Sequence, residues 1–183
     1  MSASVFLKQF SKNWREVGSV VPSSPFLVRK MLSKVNFDSA RLIVELGPGT
    51  GPLTKEILKR LHPEGWLIVI ESNEAFCSML RDIGDPRLRV EYASAEDLPR
   101  ILGDKKANAI LSGLPLAVID RKAVRNILES AKKSLDPDGV FVQFQYSLAS
   151  KKLLKNFFTD VVIDFTPANV PPAFVYVARN IFL

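Results

Sequence analysis

From residue 41 onward, short apolar β-rich runs alternate with amphipathic stretches of helical period, and this alternation restricts the fold more than any other feature. Residues 41–46, 66–71, 87–92, 107–112 and 140–146 read as strands, and residues 51–61, 73–83, 95–102 and 121–134 between them as helices. Apolar strands separated by helices pair in parallel and are covered on both faces. The ending breaks the pattern. "DVVIDFT" and "AFVYVARN" are separated only by "PANVPP", too few residues for a parallel crossover, so these last two strands are expected to pair antiparallel. The expected fold is α/β: one seven-stranded sheet, parallel except at its end, in a single domain over residues 1–183. Open sheets of this kind bind ligands at the carboxyl ends of their strands.

Residues 1–35 precede the sheet and read as two helices. The second is well signalled by Ser24 as N-cap, Pro25 at the first helical position and "FLVRKMLSKV" after it. In the first, Phe6, Leu7, Phe10, Trp14 and Val17 fall within an arc of about 100° at helical period, with Lys8, Lys12 and Arg15 opposite. The stripe suits a face packed on the core. It equally suits a helix lying in an anionic membrane interface, with Phe6, Phe10 and Trp14 in the apolar layer and Lys8, Lys12 and Arg15 on the lipid phosphates. Most of the net charge of +6 sits in this region, where six bases face one acid, Glu16. A basic end on a near-neutral body points to a polyanionic partner, nucleic acid or membrane surface. One cysteine and one histidine exclude a disulfide and a zinc cluster. No run is long enough to span a bilayer and no signal-peptide pattern opens the chain, so a cytoplasmic protein is expected.

The stretch "VELGPGTGPLT" follows the first strand, with Gly47, Gly49 and Gly51 at alternate positions and Glu45 just before them. A dinucleotide loop would carry a third glycine where Pro52 stands, and a carboxylate beside the loop would repel a pyrophosphate. An acid there suits a cationic ligand, and S-adenosylmethionine carries a sulfonium and an ammonium. Glu71, closing "WLIVIE", is placed to accept both ribose hydroxyls. "YASAEDLP", with Ser94, Ala95 and Glu96, lies where the adenine would rest, its amino group falling to Glu96 or to backbone.

"VGSVVPSSPFLVRKM", "VELGPGTGPLTKEIL", "SGLPL", "QYS" and "NVPPA" resemble the bacterial phospholipid N-methyltransferases that act on phosphatidylethanolamine, and more distantly the ribosomal-RNA adenine dimethyltransferases. The resemblance runs over nearly the whole chain. It implies a class I, Rossmann-like methyltransferase sheet using S-adenosylmethionine, peripheral on the inner face of the cytoplasmic membrane. Ser19 stands where the RNA enzymes carry a longer glutamine, at the cofactor. Nucleic-acid enzymes carry an N-L-P-Y-like motif after the fourth strand, whose polar residue and carbonyl hold the base amino group and whose ring stacks on the flipped base. Here Ser112 takes the first place, Gly113 is extra, Leu114 and Pro115 follow, and Leu116 replaces the ring. No appended RNA-binding domain is expected after residue 183, and base methylation is disfavoured. Amine methylation needs positioning, and loss of a proton to water, a carbonyl or a tyrosine. Tyr146 is the expected catalytic residue, orienting the amine through its hydroxyl and holding the methylated cation on its ring. Leu114 and Asn169 are expected to shape the substrate site, with Arg179 meeting a phosphate near its mouth.

Overall fold

A computed structural model describes residues 24–180. The expected first helix, with Phe6, Lys8, Phe10, Lys12, Trp14, Arg15 and also Ser19, lies outside the described residues. The described chain opens with α1 (Pro25–Leu32), whose cap is the one read from the sequence: Ser24 Oγ accepts the Leu27 N–H at 3.2 Å. There follow β1 (Leu42–Leu46), α2 (Pro52–Arg60), β2 (Trp66–Glu71), α3 (Glu74–Arg81), β3 (Leu88–Tyr92), α4 (Leu98–Leu102), β4 (Ala107–Ser112), α5 (Arg121–Ser134), β5 (Leu135–Gln145), α6 (Lys151–Lys155), β6 (Asp160–Thr166) and β7 (Ala173–Arg179). The helix expected over residues 95–102 begins as a 3-10 turn, Ala95–Asp97, because Pro99 cannot donate into a continuous α-helical ladder. Helix α6 was not expected; "KKLLK" is too short to display a period.

The seven strands form one sheet in the order β3-β2-β1-β4-β5-β7-β6. The β1–β5 neighbours pair in parallel, and β7 runs antiparallel to both β5 and β6. Alternate strand residues serve two cores. Ile43, Ala109, Leu111, Val142 and Val175 face α1 and α2, while Val44, Ile110, Phe141 and Tyr176 face α5 and α6. Burial on both faces explains why β1, β2 and β4 read as continuous apolar runs. Helix α1 is tied to the far edge of the sheet by Lys30, 3.4 Å from the Asp164 carboxylate of β6, and by Lys34 on the same oxygen.

The reversed direction of β7 corrects one expectation. Arg179, its last residue, pairs with Asp160, the first residue of β6, and the neighbouring Ala178 with Phe141 near the start of the regular part of β5. Arg179 therefore lies at the amino-terminal edge of the parallel strands. At about 3.4 Å per residue the length of β7 separates it from the carboxyl edge by about 20 Å. It cannot meet a phosphate at the mouth of a site built on that edge.

Candidate cofactor and methyl-transfer site

Two loops cross at the carboxyl edge, one after β1 and one after β4. Gly47, Gly49 and Gly51 all have positive φ (67°, 57° and 82°), a region side-chain-bearing residues rarely adopt. At Gly47 a Cβ would also stand 2.7 Å from Leu114 Cδ2, so the leucine side chain would have to turn aside. The additional glycine of "SGLPL" has its reason in the same crossing. Gly113 donates its N–H to the Leu46 carbonyl at 2.9 Å, and a Cβ on it would lie 2.9 Å from the Gly47 carbonyl oxygen. The two backbones therefore pack directly on one another at the carboxyl edge.

Glu71 ends β2 beside the glycine loop, 8 % exposed. Its Oε2 accepts the Gly49 N–H at 3.1 Å, and its Oε1 accepts the N–H groups of Ser72 at 2.8 Å and Asn73 at 3.0 Å. Three main-chain donors thus hold the carboxylate in place. A carboxylate offers about four acceptor positions, so the one remaining lies on Oε2. The two-pronged ribose grip expected from the sequence does not fit this arrangement, because Oε1 is saturated and one acceptor position on Oε2 is left.

Glu45 also departs from expectation. It points to the α2 face of the sheet, is 1 % exposed, and accepts the Thr54 Oγ–H at 2.7 Å. Burial pushes its carboxyl up to about 8; the Thr54 bond opposes this and the nearby Glu71 charge adds to it. Glu45 is therefore a protonated group beneath the glycine loop at neutral pH, not an open carboxylate at its rim. The first turn of α2 encloses it.

After β3, Ser94 Oγ accepts the Glu96 N–H at 3.2 Å and caps the short 3-10 turn, while Ala95 is buried. Glu96 is drawn to α5, where its Oε2 accepts Asn126 Nδ2 at 2.7 Å and its carbonyl accepts Ser130 Oγ at 2.9 Å. This engages one oxygen of its carboxylate and turns the side chain toward α5.

The loop after β4 is organised from within. Ser112, 1 % exposed, accepts the Leu114 N–H on its Oγ at 3.3 Å. The Leu114 carbonyl receives Gln143 Nε2 and Gln145 Nε2, each at 2.9 Å. Leu116 is 6 % exposed and packs into the core with α5. Sequence reasoning missed Gln143 and Gln145. Their signal was two polar residues at i and i+2 inside an otherwise apolar strand, hence on one face.

Tyr146 follows β5 directly. Its ring packs edge-on to Phe144 with centroids 5.7 Å apart, and its hydroxyl is hydrogen-bonded by the Asn169 side chain. Asn169, 3 % exposed, also accepts the Ser24 N–H at 3.2 Å and donates to the Pro171 carbonyl at 2.7 Å. The structure thus joins "QYS", "NVPPA" and the start of α1. Burial raises the Tyr146 pKa and the Asn169 bond only partly opposes it. Tyr146 is a phenol at neutral pH, a state that does not suit it to take a proton.

A methyltransferase-domain profile matches residues 43–139. The chain is 34 % identical over 183 residues to the ornithine lipid N-methyltransferase of Singulisphaera acidiphila, a match covering 97 % of this chain and 95 % of that one. The chain belongs to the methyltransferase family. It is also 33 % identical over 115 residues to the ribosomal RNA small subunit methyltransferase A of Acidithiobacillus ferrooxidans, covering 61 % of this chain and 42 % of that protein. Among solved structures, the fold superposes on the N-methyltransferase NodS from Bradyrhizobium japonicum, in complex with S-adenosyl-L-homocysteine, with TM-score 0.68 at 15 % identity over 96 % and 97 % of the two chains. The architecture is the class I methyltransferase sheet, and the cofactor is S-adenosylmethionine.

The residues fit that cofactor on their own chemistry: Glu71 keeps an acceptor for a ribose hydroxyl, and the glycine loop admits a ligand against bare backbone. When bound, S-adenosylmethionine supplies an electrophilic methyl on a sulfonium. The protein's part is to hold the acceptor in line with it and to exclude competing water.

Proposed function

We propose that this methyltransferase acts on the amine of a membrane lipid headgroup: phosphatidylethanolamine or its partly methylated derivatives. The observation that carries the reading is the state of the Leu114 carbonyl. Both of its acceptor positions are taken by Gln143 and Gln145, and the Ser112 hydroxyl is turned to the Leu114 N–H. A base amino group held between the polar residue and the carbonyl of this loop would find the carbonyl already occupied. With Leu116 buried, the loop also presents no ring, which removes about 1–3 kcal/mol of base stacking. An aliphatic amine needs less. Its lone pair attacks once it has lost a proton to water, and the phenol of Tyr146, held by Asn169, accepts a hydrogen bond from the remaining N–H. The name of the Singulisphaera relative raises the amine of an ornithine lipid as a second acceptor of the same class. The reading places the protein at the inner face of the cytoplasmic membrane, and among the described residues no helix is long and apolar enough to cross a membrane.

Purified protein is incubated with labelled S-adenosylmethionine and, in separate reactions, vesicles containing phosphatidylethanolamine, vesicles containing ornithine lipid, and ribosomal RNA. Label is expected in the phosphatidylethanolamine fraction. Label in ornithine lipid alone would move the substrate while keeping the class, and label in RNA with none in either lipid would overturn the reading.

A further inference from the structure

The carboxyl edge of the sheet is divided by charge. Around the loops after β2 and β3 stand Glu74, Glu96 and Asp97. The other half consists of the β4–α5, β5–α6 and β6–β7 connections, and its character is opposite. Arg121 and Lys122 open α5, Lys151 and Lys152 open α6, and all four are exposed. None of them forms an ion pair among the described residues. The one acid beside them, Asp120, is occupied in capping α5 through the N–H groups of Lys122 and Ala123. Four cations at the amino ends of helices oppose the helix dipole, a placement with no value to the fold itself.

Between these bases each connection exposes an apolar side chain. Val118 is 38 % exposed, Leu148 is 49 % exposed and Val170 is 85 % exposed. One such residue is unremarkable on a protein surface. Here there is one on each of three adjacent loops, and those loops also carry Leu114, Tyr146 and Asn169 of the proposed acceptor site. The chain outside the described residues leaves from the same place: Ser24, where residues 1–23 join, donates its N–H to Asn169, next to Val170. That stretch contains Lys8, Lys12 and Arg15 with Phe6, Phe10 and Trp14.

We propose that this half of the carboxyl edge is a docking face for an anionic lipid bilayer. Val118, Leu148 and Val170 enter the interfacial layer, and Arg121, Lys122, Lys151 and Lys152 lie on lipid phosphates. The acceptor site then opens directly onto the headgroup layer, and a lipid amine reaches Tyr146 without leaving the membrane. The inference rests on the lipid reading given above and adds to it the surface and its orientation.

Co-sedimentation with vesicles of phosphatidylglycerol and phosphatidylcholine, which offer no amine substrate, tests docking apart from catalysis. A basic residue near an anionic surface contributes about 1 kcal/mol, or about fivefold in partitioning. The double substitution Lys151→Gln and Lys152→Gln is therefore expected to weaken binding about 25-fold, an effect that shrinks as salt is raised. Val170→Gln, which removes apolar insertion without adding charge, is expected to weaken it about tenfold or more, with little dependence on salt. Both sites are exposed, so melting temperature and S-adenosylmethionine affinity are expected to match the wild type. Wild-type vesicle binding in both variants would overturn the docking face. So would tight RNA binding by the wild type that falls in parallel in the lysine variant while vesicles remain unbound. Methyl transfer to lipid dispersed in detergent micelles separates the two readings. Micellar activity retained with docking unaffected by the substitutions refutes the face alone. Docking lost as expected, with no lipid methylated in either form, refutes the lipid substrate and leaves the face standing.

Discussion

Replacing Glu45 by Gln isolates the cost of burying a carboxyl under the glycine loop. Folded, the group titrates near 8; unfolded, it returns to about 4.5. Between these values the folded state keeps a proton that the unfolded state releases, so stability is full below the lower value and is lost as pH rises toward the higher. The slope reaches about 1.4 kcal/mol per pH unit. Integrated, the loss is about 1 kcal/mol by pH 5 and about 4 kcal/mol by pH 7.5. Glutamine has nearly the same shape, keeps an oxygen for the Thr54 hydroxyl, and does not titrate. The stability of Glu45→Gln relative to wild type is therefore expected to improve by about 3 kcal/mol from pH 5 to pH 7.5, whatever offset the amide introduces at low pH. Urea unfolding of the ligand-free proteins across that range reads the difference directly. Parallel stability–pH curves would mean that Glu45 is ionised in the fold and would refute the reasoning. A cationic ligand above the loop favours the charged form, so S-adenosylmethionine binding near pH 7 is expected to release a proton from the wild type and none from the variant. Calorimetry in buffers of different ionisation enthalpy measures it.

Three further substitutions probe the rest of the site and its support. Glu71→Ala removes the ribose acceptor and orphans the N–H groups of Gly49, Ser72 and Asn73; S-adenosylmethionine affinity is expected to fall at least tenfold, since a bond to a charged group contributes about 1.5–3 kcal/mol, and wild-type affinity in a calorimetric titration would exclude Glu71 from the site. Tyr146→Phe is expected to lower the rate of methyl transfer while leaving cofactor affinity and the shape of the rate–pH profile unchanged, because the raised pKa keeps the hydroxyl protonated; an inflection present in the wild type and missing in the variant would make Tyr146 the proton acceptor instead. Asp164 is held below the usual carboxylate range, first by its bond to Lys34 and then by Lys30, so its contribution is present above the unfolded carboxylate value and lost as pH falls through the folded one. Asp164→Asn should be less stable than wild type at neutral pH by about 1 kcal/mol at most, as suits a partly exposed pair, with the two converging in acid; a constant gap in chemical unfolding from neutral pH into acid would refute the ion-pair account.

The sheet, the seven strands, the capped α1 and the antiparallel ending were legible in the sequence because each rests on a local signal: period, cap chemistry, or a connection too short for a crossover. Gly47, Gly49, Gly51 and Glu71 were legible for the same reason, since a glycine loop between strand and helix and an acid at the end of the next strand lie close along the chain. What only the tertiary structure decided depends on contacts between distant segments. The insertion of β7 between β5 and β6 set Arg179 against the first residue of β6, at the edge away from the glycine loop. Packing of α2 over β1 enclosed Glu45 and turned an expected anion into a neutral acid. The crossing of two loops explained Gly113, and two glutamines more than 25 residues away, on β5, closed the Leu114 carbonyl to a substrate. Tyr146 and Asn169 were each marked as candidates, but that one holds the other could not be read from spacing, since 22 residues, with a helix and a strand among them, separate the two in the chain. Local propensity is set by neighbours in sequence; the charge, exposure and partners of a site residue are set by whatever the fold brings against it.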